Sequence, residues 1–105
     1  MDKSWKAYER RIAAFVSGKR RGADYGGRTG GKDDIIHPLL SIECKLYSRV
    51  TYGLLLAAVD QAEANAEEGK IPVAVIKRKR DRDLDSLVVL KLRTALTLLP
   101  GGEGE

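Results

Sequence analysis

Glu43 and Lys45 are charged residues inside an otherwise aliphatic segment, residues 39–46. Charged side chains are costly to bury, so their presence there needs a reason. Asp34 comes nine residues before Glu43, and Glu9 lies in an amphipathic segment near the N-terminus. Carboxylates that converge on one point favour Mg²⁺ or Mn²⁺, because these ions prefer oxygen ligands. A nearby lysine can orient an attacking water and offset charge in a transition state, which suits phosphodiester hydrolysis.

An amphipathic helix is predicted over residues 4–17, because apolar residues recur there at helical spacing. We expect Trp5 and Tyr8 to be core residues of this helix. Ser4 would cap its N-terminus, and the glycine at position 18 would end it. Glu9 lies at the edge of the apolar stripe, so its side chain is expected to face inward.

Two strands follow the glycine-containing residues 18–33, which are predicted to be a loop with a weak edge strand near residues 23–25. Residues 34–36 form the first, short strand, and residues 39–46 form the second. Alternation along the second strand places Glu43 and Lys45 on one face and Cys44 on the other. A hairpin pairing would bring Asp34 to about the same level, although alternation alone leaves the register open.

The second half of the chain predicts a helix over residues 52–68, stopped by Gly69, between strands at 39–46 and 71–77. This order implies a right-handed crossover between parallel strands. A last strand is expected at 86–92 after a charged loop, and residues 93–99 fit a short helix or an extended tail. The predicted fold is α/β: a small mixed sheet with an N-terminal helix and a crossover helix. We expect residues 1–99 to form one domain and residues 100–105 to form a flexible tail.

Lys and Arg outnumber Asp and Glu by 19 to 15, which favours an anionic partner. The basic residues form an early block within 19–32 and a later one within 77–82, and both could follow a phosphate backbone. The later block is interrupted by aspartates, so a solvated loop explains it as well. The early block is next to the acidic residues in sequence, and Arg49 follows the second strand. The predicted DNA contacts are Lys19, Arg20, Arg21, Arg28, Lys32 and Arg49.

The single cysteine excludes an intramolecular disulfide and a zinc site built from several thiolates. Apolar runs fall short of the ~20 residues that span a bilayer. We therefore expect a soluble, cytoplasmic protein without a membrane partner. A chain of 105 residues has room for one small core, so a homodimer would add buried area.

The pattern of Glu9, then Asp34 before two isoleucines, then Ile42-Glu43-Cys44-Lys45, resembles the PD-(D/E)XK nuclease superfamily. Within it, the chain looks most like the small Holliday junction resolvases of archaeal type and related virus-encoded proteins. The resemblance implies a restriction-endonuclease-like core and a divalent metal, Mg²⁺ or Mn²⁺. By resemblance, the metal ligands are Glu9, Asp34, Glu43 and the main-chain carbonyl of Cys44, the catalytic lysine is Lys45, and the supporting glutamine is Gln61.

The resemblance implies symmetric cleavage of four-way DNA junctions by a homodimer, because such a junction offers two equivalent cleavage points. The alternatives are another nuclease of the superfamily, such as a nickase or a flap or fork endonuclease, and a non-catalytic basic DNA-binding module. The superfamily's name places a proline before the first acid, but Lys32-Asp33 stands at that place in this chain. Asp33 therefore remains an alternative to Asp34 as a ligand. A second Glu-x-Lys triplet, residues 68–70, shows that the triplet alone is weak.

Overall fold

The chain folds as a five-stranded mixed sheet with helices, seen in a computed structural model that describes residues 4–16, the backbone of 19–20, and residues 34–100. The elements are α1 (Ser4–Phe15), β1 (Lys19–Arg20), β2 (Ile35–Ile36), β3 (Leu40–Tyr47), α2 (Tyr52–Asn65), β4 (Ile71–Arg78), β5 (Leu87–Val89) and α3 (Leu92–Leu96). This order confirms the predicted α/β fold with an N-terminal helix and a crossover helix.

The strands lie in the spatial order β1-β2-β3-β4-β5. β3 and β4 are parallel, with Ile42 opposite Val73, and the other neighbours are antiparallel. The parallel pair joined by α2 confirms the predicted crossover connection. In the β2–β3 pair Ile35 lies opposite Ile42, which brings Asp34 to the level of Glu43. The register that the sequence left open therefore places the two acids side by side.

The sheet is covered by helices on both faces. On one face, α1 packs on β3 and β4 through contacts that include Tyr8, Ile42 and Val75. On the other face, α2 packs on β4 through contacts that include Val59 and Ile76. The strand side chains alternate between these two cores, as the near-continuous apolar sequence of a doubly covered strand requires. The short chain thus divides its apolar residues between two thin cores.

The segment after β4 fastens α1 to the sheet. Asp83 accepts a hydrogen bond from Arg11 at 3.2 Å and forms an ion pair with the buried Lys77 at 3.2 Å. The hydroxyls of Tyr8 and Ser86 lie 2.8 Å apart, within hydrogen-bond distance. Burial raises the pKa of Tyr8 to about 12, so this phenol stays protonated at neutral pH. Asp83 and Ser86, both in the segment between β4 and β5, therefore hold the helix that carries Glu9.

The later basic block is paired with its own aspartates. Arg78 forms an ion pair with Asp81 at 3.0 Å, and Arg82 pairs with Asp85 at 3.4 Å. These local pairs favour the interpretation of the block as a self-neutralised loop.

The described residues contain no helix with the length and apolar character needed to cross a bilayer.

Several sequence-based predictions of local structure were wrong. Lys19–Arg20 was predicted to be loop but pairs with β2 as a strand, since its extended backbone completes the sheet edge. α2 ends at Asn65 rather than at Glu68, and Gly69 adopts a positive φ of 87° in the turn before β4. The last strand is shorter than predicted, because α3 begins at Leu92. The glycine at position 18 and the possible strand at 23–25 lie outside the described residues.

Candidate active site

A depression of about 350 Å³ brings together the side chains that the sequence singled out for chemistry. It is bordered by α1, by β3 and by α2, with one acid from the turn before β2. All five residues predicted to be catalytic line it, together with the aromatic residues Trp5 and Tyr47. The lining residues are Trp5, Glu9, Asp34, Glu43, Cys44, Lys45, Leu46, Tyr47 and Gln61.

The depression follows an open edge of β3. Among the strands that the structure describes, β2 pairs only with the beginning of β3, at Ser41 and Ile42. The next five residues of β3, 43–47, all line the depression. Because successive side chains of a strand point to opposite faces, a depression lined by all of them lies along the strand edge. Main-chain groups of β3 therefore face it together with side chains.

Glu43 is the most deeply buried acid of the set, with 2 % of its surface exposed. Its Oε2 accepts a hydrogen bond from Nε2 of Gln61 at 2.9 Å. Its Oε1 is buried and has no hydrogen-bond partner among the described residues. Burial, and then the charge of Asp34, raise the pKa of Glu43 to about 7, against the opposing effect of Lys45. This carboxylate oxygen is therefore suited to a cation that would replace its lost hydration.

Asp34 is joined to the main chain of β3. Its Oδ2 accepts a hydrogen bond from the N–H of Cys44 at 2.8 Å, and its own N–H donates to the carbonyl of Ile42 at 2.9 Å. Because the N–H and C=O of one strand residue point to the same side, the carbonyl of Cys44 also faces the open edge. Asp33, the alternative ligand, lies outside the described residues.

The thiol of Cys44 belongs to the core rather than to the site. Its side chain is buried in the cluster between α1 and the sheet, as strand alternation predicted. Burial and the neighbouring Asp34 carboxylate raise the pKa of this thiol well above its usual range. A protonated thiol is a poor nucleophile, so Cys44 offers the site its main chain only.

Glu9 confirms the predicted inward orientation, because only 6 % of its surface is exposed although it belongs to a helix. The expectation for Trp5, one turn earlier on α1, was wrong. Trp5 is 47 % exposed and lines the depression, whereas Tyr8 is fully buried as predicted. The core beneath α1 is thin, and Tyr8, Ile12 and Ala13 of this helix fill it.

Lys45 and Gln61 approach Glu43 from different elements. Lys45 is half-buried on β3, two residues after Glu43 and on the same face of the strand. Gln61 belongs to α2, whose first turn is capped by the Thr51 side chain accepting from the N–H of Leu54 at 3.2 Å. The sequence left Gln61 undecided between site support and a polar helix end. Its hydrogen bond to Glu43 favours site support.

The donor set fits a hard divalent cation in its chemistry. It consists of carboxylate oxygens with a main-chain carbonyl, and it includes the orphaned Oε1 of Glu43. Within residues 4–16 and 34–100, however, no three His, Cys, Asp or Glu side chains form a ready-made metal cluster. The Oδ2 of Asp34 is engaged with the main chain of β3, and Oε2 of Glu43 is engaged with Gln61. Binding an ion therefore requires the carboxylates to turn toward one another.

The predicted DNA contacts are only partly within the described residues. Lys19 and Arg20 lie on β1, at the edge of the sheet next to β2. Arg49 is exposed in the turn after β3 and is not among the residues that line the depression. The other three predicted contacts, Arg21, Arg28 and Lys32, lie outside the described part of the chain.

Comparison with known proteins returned no similar family model, no similar curated protein and no similar solved structure. The geometry of the depression and the chemistry of its residues are therefore the basis for any functional argument.

Two aromatic residues of the depression carry a signal that is readable in the sequence. Trp5 precedes Glu9 by four residues, which places both on one side of α1. Tyr47 follows Lys45 by two residues, which places both on one face of β3. Each aromatic residue thus lies on the same side of its helix or strand as a proposed site residue, although apolar periodicity favoured a core position for Trp5.

Proposed function

We propose that this protein is a Mg²⁺- or Mn²⁺-dependent DNA endonuclease that cleaves branched DNA, with the four-way junction as its substrate. The single observation that carries the proposal is the convergence of Glu9, Asp34, Glu43, Lys45 and Gln61 on one depression along β3. These residues come from two helices and two strand regions, and one oxygen of Glu43 is buried there without a hydrogen-bond partner among the described residues. A solvated ion pair on the strand does not account for an acid with 2 % exposure.

Each residue of the depression has its own role in the proposed reaction. Asp34, Glu43 and the carbonyl of Cys44 would hold the metal, with Glu9 completing the acidic set. When bound, the metal supplies Lewis-acid stabilisation of the phosphate and a water of lowered pKa. Lys45 orients the attacking water and offsets the charge that builds on the phosphate. Gln61 fixes the orientation of Glu43 through its hydrogen bond.

We also propose that the protein acts as a homodimer, because two symmetric cuts require two matched sites. An apolar groove of about 340 Å³ between α2, β5 and α3 supports a second copy of this chain as its occupant. Tyr52 and Leu92 line the groove and are 77 % and 73 % exposed. The charges at its rim are already paired, for example Lys91 with Asp60 at 2.6 Å, so the face suits apolar contact rather than DNA.

The test is cleavage of labelled four-way junction, fork, flap and linear duplex at one salt concentration, with Mg²⁺, Mn²⁺ or EDTA. We expect cleavage of the junction with either metal and none with EDTA. Glu43→Gln should abolish cleavage while leaving the fold intact. Glu68→Gln is the matched control, because it changes the acid of the second Glu-x-Lys triplet, which is exposed in a turn away from the depression.

The outcomes separate the alternatives. Metal-dependent cleavage that prefers a fork, a flap or one strand of a duplex would replace the junction substrate but keep the nuclease chemistry. Junction binding without cleavage under either metal would replace the nuclease by a DNA-binding module. Equal cleavage by wild type and Glu43→Gln would overturn the assignment of the site.

A further inference from the structure

Trp5 is the only tryptophan of the chain, and it lies at the border of the proposed active site. Nearly half of its surface, 47 %, is exposed. A large apolar ring in a helix normally packs against the core, and Tyr8 on the same helix does so completely. The half-exposed indole therefore presents apolar, polarisable surface to whatever enters the depression.

The surroundings of Trp5 combine an aromatic face with positive charge. Nζ of Lys6 lies 5.3 Å from the centre of the indole ring. This distance is within the range of cation–π interaction, and it places an ammonium group over the ring. Tyr47 lines the same depression from β3. An aromatic face next to a cation is the combination that proteins use to bind single-stranded nucleic acid.

Trp5 lies near one acid of the proposed site along α1. Trp5 and Glu9 are four residues apart on α1, so they lie on one side of the helix, separated along its axis by about one turn, roughly 5.4 Å. Both line the depression, so the indole borders the position next to the acids. A base held on the indole would thus belong to a nucleotide next to the phosphate that faces the carboxylates.

We propose that Trp5 is a stacking platform for an unstacked nucleobase adjacent to the cleaved phosphate, and so a determinant of specificity for branched DNA. This inference rests on the proposed function. Bases inside a continuous duplex are stacked on their neighbours and cannot offer a face to the indole. A branch point or a frayed end exposes a base face at little cost, and every base has one. Selection by stacking therefore recognises the structure of the DNA rather than its sequence.

The experiment uses the full-length protein with Glu43→Gln as background, so that binding is measured without cleavage. Trp5 is the sole tryptophan, hence its fluorescence reports on this position alone. We expect quenching by four-way junction and by single-stranded DNA, and little quenching by linear duplex. Trp5→Ala should weaken junction binding about tenfold, because stacking contributes roughly 1–3 kcal/mol per base, and leave duplex binding nearly unchanged. Trp5→Phe should retain most of the affinity.

Phe15→Ala is the matched control, because Phe15 is an equally exposed aromatic residue of α1, at 54 %, that does not line the depression. It should change neither junction nor duplex binding. An equal loss of affinity for junction and duplex in Trp5→Ala, or absence of quenching on junction binding, would overturn the stacking role. If Trp5→Ala fails to fold, the quenching of Trp5 in the Glu43→Gln background and the junction affinity of Trp5→Phe still test the stacking role.

The result is independent of the nuclease test. Cleavage that is sensitive to Glu43→Gln, but without Trp5 quenching, removes only the stacking platform. Quenching by branched DNA with no cleavage under Mg²⁺ or Mn²⁺ in the unmodified protein removes the nuclease activity and keeps the platform.

Discussion

At the scale of single residues, the decisive feature is a buried acid next to a second acid. Asp34, one residue before β2, lies at the level of Glu43 on β3, and Glu43 has one oxygen without a hydrogen bond among the described residues. Desolvation and like-charge repulsion both disfavour its ionised form. Such an arrangement costs stability in the metal-free protein, and it is typical of sites where the residue serves function rather than folding.

The raised pKa of Glu43 predicts the pH dependence of stability in EDTA. Its folded pKa is about 7, against an ordinary value of 4.5, so the folded state binds the proton more tightly than the unfolded state. The contribution of Glu43 is fully present below pH 4.5 and is lost as the pH rises through 7. Glu43→Gln should flatten this part of the profile, measured by urea unfolding between pH 4.5 and 8. A profile unchanged by the substitution would contradict the shift.

Lys45 is expected to act on the reaction and not on metal affinity. Lys45→Met should lower the cleavage rate about 10²–10³-fold, the usual effect of removing one group that stabilises transition-state charge. Binding of Mn²⁺, followed by calorimetry, should stay close to that of wild type because lysine is not a ligand. Asp34→Asn should lose both metal binding and cleavage. Weakened Mn²⁺ binding in Lys45→Met comparable to that in Asp34→Asn would make Lys45 a structural partner of the acids.

At the scale of elements, α1 positions Glu9 and Trp5 at the depression, and the segment after β4 holds α1 in place. Asp83 binds Arg11 of α1 and the buried Lys77 of β4 together, and Ser86 adds a hydroxyl contact to Tyr8. The neighbouring guanidinium of Arg11, followed by Lys77, holds the pKa of Asp83 below its usual range. The charged loop after β4 therefore positions the helix of the site.

Asp83→Ala should destabilise the protein by about 2–3 kcal/mol, since it leaves the largely buried Lys77 without its carboxylate partner. Asp85→Ala is the matched control from the same loop, because its pair with Arg82 is exposed and should contribute little. Urea unfolding at neutral pH measures both. Similar losses of stability in the two variants would show that any change in the loop destabilises the protein. The contacts of Asp83 with Arg11 and Lys77 would then not be the cause.

At the scale of the whole molecule, an α/β sandwich of this size leaves an apolar groove open between α2, β5 and α3. The proposed homodimer would cover it. The groove is lined by side chains of a different set of residues from the acidic depression, so both surfaces could be used at the same time.

Leu92→Glu should convert the dimer to a monomer, because it places a charge in the apolar groove. Leu84→Glu is the control, since Leu84 is 80 % exposed in a short 3₁₀ helix, Asp83–Asp85, outside the groove. Light scattering after gel filtration measures the mass. On a supercoiled plasmid with an extruded cruciform, we expect linear product from wild type and nicked circles from Leu92→Glu. A monomeric wild type, or a dimeric Leu92→Glu, would contradict this surface.

The sequence by itself determined the main elements and the identity of the candidate residues. Helical periodicity located α1, alternation separated Glu43 and Lys45 from Cys44, and the strand–helix–strand order gave the parallel pair β3–β4. These patterns are local, because each depends on side-chain direction along a single element. The inward orientation of Glu9 followed from the same reasoning.

Only the tertiary structure decided how these elements meet. The register of β2 on β3 brought Asp34 to the level of Glu43, and within the described part of the chain β2 pairs only with Ser41 and Ile42 of β3. The outward position of Trp5 also depended on packing, because the thin core under α1 is filled by its neighbours on that helix. Strand pairing and core volume arise from contacts between distant segments. No local pattern encodes them, and they convert separate acids, a lysine and an indole into one site.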